Sequence, residues 1–137
     1  MNKILLIILG LIVLGFIIYS AVTAPSEQVV TLTWTATGDD MNSGTADKYE
    51  LRYSDFPITE MNWTTCTKIM KADSLEPSVA GTQEFLTVSL PLESETNYYF
   101  ALKVYDEAGN VSALSNVYLY KSKDIVSPAP VTDLRSQ

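Results

Sequence analysis

Beyond residue 28, apolar side chains recur at every second position in short runs, and no run carries the three-to-four spacing of an amphipathic helix. Val30-Thr-Leu32-Thr-Trp34 alternates apolar and hydroxyl residues, and Tyr49-Glu-Leu51-Arg-Tyr53 alternates in the same way. Each reads as a strand with one buried face. Phe85–Leu90 reads as another, and Asn97–Tyr105 is the longest, with Tyr98, Phe100, Leu102 and Val104 on one face and Tyr99, Ala101, Lys103 and Tyr105 on the other. Asn116–Tyr120 closes the series. Ile58–Met70, which includes Trp63 and Cys66, is predicted to hold one short strand with irregular flanks. Gly38–Gly44, Ala72–Gly81 and Asp106–Asn110 have the composition of loops and turns. Half-buried strands must stack their apolar faces, so the expected fold class is all-β, an antiparallel β-sandwich in which Trp34, Tyr53 and Phe100 turn inward. Tyr99, Tyr105, Tyr118 and Tyr120 are expected on the opposite face, where tyrosine suits protein or glycan contacts.

Residues 1–24 obey a different rule. Ile4–Ala24 is apolar without a polar face, and as a helix it is about 31 Å long, enough to cross a hydrocarbon core of about 30 Å. This predicts one N-terminal transmembrane helix acting as a signal anchor, with Tyr19 at the interface. A cleaved signal peptide is the alternative, since Val22-Thr23-Ala24 offers small residues, although Pro25 follows the cut. Lys3 precedes the segment and the next basic residue is Lys48, so the positive-inside bias keeps the N-terminus in the cytoplasm and puts the rest outside. The division of the chain is therefore 1–24 anchor, 27–121 β domain and 122–137 tail.

Composition excludes much chemistry. The chain has no histidine, which removes imidazole bases, Ser/His and Cys/His nucleophile pairs and the commonest transition-metal ligand. Its single cysteine, Cys66, rules out an intrachain disulfide and a thiolate zinc site, and reads as a small buried apolar residue. With 9 Lys and Arg against 16 Asp and Glu, the formal net charge of −7 disfavours nucleic acid as a partner. No catalytic residues and no cofactor are expected.

Four stretches then carry a family likeness. Val30-x-Leu32-x-Trp34, Tyr49-x-Leu51-x-Tyr53, Leu92-x-Ser94-x-Thr96-x-Tyr98-x-Phe100 and Ser112-Ala-Leu114-Ser-Asn116-Val117 resemble strands B, C, E–F and G of the immunoglobulin-like fibronectin type III family, closest to its microbial surface and secreted members. The likeness covers Val29–Tyr120. It implies a Tyr98 hydroxyl bonded to backbone at the E–F corner, and a binding, adhesion or spacer module with a protein or glycan partner at the cell surface. An accessory piece of a larger secreted enzyme or adhesin is the alternative. Since one such fold hosts many functions, the likeness speaks to architecture before activity.

Two departures from the family matter. Ser94 stands where the family usually has proline, and strand A is missing, since only Pro25-Ser-Glu-Gln28 separates the apolar segment from strand B. Strand B is then expected to have an unpaired edge. Val131-Thr-Asp-Leu134 resembles an orphan strand A, able to fill that edge in its own domain or in a second copy, to belong to a tandem array, or to fray.

Three sets of polar residues are candidates for chemistry. Asp39, Asp40, Asp106 and Glu107 are expected at one pole, where hard oxygen ligands from two loops can hold calcium; the same residue types are what tight turns require. Asn62-Trp-Thr and Asn110-Val-Ser are glycosylation sequons.

Overall fold

Alternation in the sequence becomes pairing in space. The computed structural model describes residues 25–40 and 43–136, so the expected membrane segment lies outside the described residues. Among those described, no helix is long and apolar enough to cross a membrane. The strands are β1 (Ser26–Thr35), β2 (Lys48–Ser54), β3 (Thr67–Lys68), β4 (Gln83–Leu92), β5 (Asn97–Tyr105) and β6 (Tyr118–Lys121). They form two antiparallel sheets, one of β1 and β4 and one ordered β3-β2-β5-β6.

The register decides what the sheets bury. Val30 pairs with Val88 and Leu32 with Leu86, so one face of the smaller sheet is a continuous aliphatic surface. In the larger sheet Leu51 pairs with Leu102 and Tyr53 with Phe100. Both surfaces meet in one core with Ile69 and Ala72, as expected for a sandwich. Trp34 meets Tyr49 edge-on at 5.2 Å, and Tyr53 stacks on Phe100 at 5.8 Å, so all three rings expected inside are there. β1 and β4 are longer than their apolar cores suggest, because Ser26–Gln28 and Gln83–Glu84 continue the ladder with polar residues.

One expectation is corrected by packing. β6 pairs Tyr118 with Phe100 and Tyr120 with Tyr98, which turns Tyr118 and Tyr120 towards the core side rather than the outer face. The stretch Ile58–Met70 holds one short strand as expected, the two-residue β3, flanked by 3-10 turns at Trp63–Thr65 and Met70–Ser74. It folds over the outer face of the larger sheet because Trp63 and Cys66 are buried there against Ile58 and Ala101. Tyr99 is partly covered by the same cluster. Arg52 and Lys103 lie over the Trp63 ring at 5.3 and 5.5 Å, capping this second core with cations.

The corner between β4 and β5 is locked. Glu95 adopts φ 53°, and the Glu93 amide donates to Tyr98 Oη at 3.0 Å, the bond that the family likeness implies. Tyr98→Phe keeps the ring and strips the acceptor from a part-buried amide, so it is expected to cost about 1–3 kcal/mol in urea unfolding without changing the far-ultraviolet spectrum.

Candidate functional site

The strands run so that Ser26, Leu92, Asn97 and Lys121 meet at one pole and Thr35, Gln83, Lys48 and Tyr105 at the other. The far pole, beyond Thr35, carries the acidic loops. Gly38 is required in the first of them, because a Cβ there falls 1.7 Å from the Ser43 carbonyl oxygen. Burial raises the Asp39 carboxyl above its ordinary range, helped by the negative charges of Glu107, Asp40 and Asp106. The four candidate carboxylates therefore do gather at one end. Among the described residues, no three acidic or thiol side chains form a metal-holding group. Asp106 is instead occupied by its own turn. Its oxygens accept from the Asn110 amide at 2.7 Å and from Asn110 Nδ2 at 2.6 Å, and these bonds, the side-chain one foremost, lower its pKa.

A lateral opening is the more distinctive feature. Among the described residues β4 is the sole ladder partner of β1, so the opposite edge of β1 is bare along its length. Behind that edge, between the sheets, lies a cleft of about 580 Å³. One wall is β1 from Leu32 to Thr35, and the other is the Val111–Tyr118 stretch. Its floor includes Leu51, Leu102 and Val104. The strict burial alternation of β4 is lost in the second half of β5, where Leu102 and Val104 stay half-buried. Tyr118, although turned inward, is 52% exposed. The Val111–Tyr118 wall is irregular because serine hydroxyls replace ladder partners: Ser112 and Ser115 Oγ accept from the Val104 and Leu102 amides, each at 3.0 Å.

Polar atoms in this region lack partners. Trp34 Nε1, Tyr49 Oη and Glu84 Oε2 are buried without a hydrogen bond, although Glu84 and Trp34 stand near enough to influence the phenol. Burial, with Glu84 beside it, pushes the Tyr49 hydroxyl up to about 12. Trp34 and Tyr49 both line the cleft. Nothing in the alternating pattern distinguished them from other core aromatics; the missing strand A was the available signal.

The remaining candidates are placed as follows. Asn62 Nδ2 donates to the Pro57 carbonyl at 2.9 Å while its Oδ1 accepts from the Thr59 amide, so this sequon amide serves a turn. Asn110 Nδ2 is held by Asp106 in the same manner. Cys66 is buried, its thiol pushed up chiefly by desolvation and donating to the Asn62 carbonyl at 3.3 Å. Val131 and Leu134 are 75% and 91% exposed, so within this chain they do not fill the β1 edge.

Fold and site together define an all-β domain of two facing antiparallel sheets with one side open. The chain is similar to calcium-activated chloride channel regulator 1 of Bos taurus, 30% identical over 95 residues, and to that of Homo sapiens, 29% over 93. Each match takes in 66% of this chain and 10% of the relative. Calcium-activated chloride channel regulator 3A-1 of Mus musculus is 30% identical over 89 residues, covering 63% of this chain and 10% of its own length. The chain thus spans about a tenth of the relatives it matches. No family model and no solved structure matches it.

The crowded carboxylates give a pH-dependent prediction. A raised folded-state pKa means that the Asp39 penalty is absent in acid, where the group is protonated, and appears as pH rises through the folded value. Asp39→Asn is therefore expected to raise the melting temperature modestly at pH 7 and leave it unchanged at pH 3, read by calorimetry at both.

Proposed function

We propose that this chain is a fibronectin type III-like module displayed outside the cytoplasm on an N-terminal membrane anchor, serving protein or glycan binding, adhesion or spacing rather than catalysis. The sheet arrangement carries the reading. A β1-β4 pair facing β3-β2-β5-β6 corresponds to strands B and E facing C′, C, F and G, and the Tyr98 corner bond stands where the likeness requires it. The mammalian matches add support of a different kind. A domain-sized stretch that recurs within much longer proteins behaves as a reusable unit. The lack of histidine anywhere in the chain favours a role without acid–base chemistry.

That the matched stretch makes up only a tenth of each relative also favours a second reading, in which the domain is an accessory part of a larger secreted enzyme or adhesin. Transcript sequencing past codon 137 separates the two: an in-frame continuation supports the accessory reading.

Display is tested on intact cells. A membrane-impermeant protease is expected to remove the domain, and the intact mass from the membrane fraction is expected to include residues 1–24. Protection until the membrane is opened overturns the display reading; a mass lacking those residues replaces the anchor by a cleaved signal.

A further inference from the structure

The cleft between the sheets is apolar along its floor and acidic at one end. Leu32, Leu51, Leu102 and Val104 line its interior, with the aromatic rings of Trp34 and Tyr118 on opposite walls. At the far pole it runs into the loops that carry Asp39 and Asp106. We infer that this cleft binds a small organic cation, an ammonium group on an apolar stem, with the charge at Asp39 and the stem over Leu102 and Val104.

Charge selects the ligand. Among the described residues, Asp39 and Asp106 line the cleft and no lysine or arginine does. The Asp39 carboxylate is disfavoured by burial first, and then by the charges of Glu107, Asp40 and Asp106. An incoming ammonium offsets that repulsion, whereas a neutral ligand leaves it in place and an anion adds to it. Cations of this chain are engaged elsewhere: Arg52 pairs with Glu50, Lys68 with Asp73, Lys103 with Glu60 and Lys121 with Glu95. Lys48, next to Tyr49 on β2, lies over the Tyr105 ring at 5.0 Å.

Unused hydrogen-bonding atoms mark the place for the charge. Asp39 Oδ1 is buried without a partner among the described residues, whereas both oxygens of Asp106 are taken by Asn110. Asp39 is therefore the carboxylate able to accept from an ammonium. Tyr49 is wholly buried, lines the same cleft, and its hydroxyl also lacks a partner. Burial pushes its ionisation up to about 12, so the hydroxyl stays neutral and its oxygen is a second acceptor. Trp34 and Tyr118 add rings of the kind that attract organic cations in a dry site. At about 580 Å³ the cleft has the size of a small-molecule site, and Tyr118, 52% exposed, leaves its side open.

The inference goes beyond reading the domain as a module for protein or glycan, and its failure leaves that reading standing. The test titrates 2-phenylethylamine and hexylamine into the full chain in detergent by calorimetry, with 2-phenylethanol and hexanol as neutral counterparts of the same shape. Saturable binding of an amine is expected, with the matching alcohol about tenfold weaker or more, the loss that follows from removing a hydrogen bond to a charged group. Asp39→Asn keeps the size of the side chain and is expected to weaken the amine by a similar factor while leaving the alcohol unmoved. Glu95→Gln, which removes a negative charge at the near pole, is expected to leave the amine's affinity unchanged. A melting temperature at or above that of the native chain shows that Asp39→Asn is folded when its affinity is read. Three results each overturn the inference: amines that bind no better than the alcohols, no saturation by either amine at millimolar concentration, or a loss in Glu95→Gln equal to that in Asp39→Asn, which marks diffuse attraction to an acidic surface.

Discussion

A sheet of two strands has to cover a sheet of four. Most of the molecule's particular features follow from that mismatch. Val30, Leu32, Leu86, Val88, Leu90 and Leu92 form the whole inner surface of the smaller sheet apart from Ser26, Gln28, Trp34 and Glu84 at its ends. Opposite them Tyr49, Leu51, Tyr98 and Phe100 are fully covered, and these carry most of the sandwich's hydrophobic stabilisation. Coverage fails on the β6 side. Leu102, Val104 and Tyr118 point the same way as their buried neighbours, but no strand among the described residues lies above them. Trp34 Nε1 and Tyr49 Oη, beside this uncovered region, have no hydrogen-bond partner among the described residues.

The two poles are built on opposite principles. At the near pole, β1, the β4–β5 corner and the tail are sewn together by buried polar side chains: Gln28 accepts from the Lys123 amide, and Ser122 Oγ donates to the Glu93 carbonyl while accepting from the Thr96 amide. Ser122 and Gln28 are 4% and 5% exposed, so these bonds are shielded from competing water. At the far pole, four carboxylates share a small volume and the loops are held mainly by local turns such as Asp106–Asn110, where Gly109 takes φ 85°. One end is a fixed foundation. The other carries the Asp39 carboxyl, whose charged form burial and its acidic neighbours disfavour.

Architecture was legible in the sequence because burial on one face of a strand imposes period two, and that signal survives without any partner in view. Asn97–Tyr105 carries the clearest signal of this kind: it is central, paired on both sides, and alternates through Tyr98 and Phe100. The missing strand A announced the bare β1 edge in the same way. Tyr118 and Tyr120 were misplaced because their facing depends on register with β5, and a serine-rich approach breaks the count of alternation before the strand starts. Trp63 and Ala101 were obscure for a related reason. Their burial is produced by a segment folding over an outer face, and no local period encodes a contact of that kind.

Ser94 shows how a departure from a family pattern can be read physically. Proline at this position stiffens the corner but offers neither donor nor acceptor from its side chain. Serine forgoes that stiffness, and its hydroxyl accepts from the Ile125 amide and donates to Asp124. The corner is rigid without proline, because Tyr98 Oη and Ser122 Oγ already bind both sides of it. What serine adds is direction for the tail. Asp124 Oδ1 in turn accepts from the Val126 amide, so the chain leaves the pole along a set path while everything beyond it stays exposed.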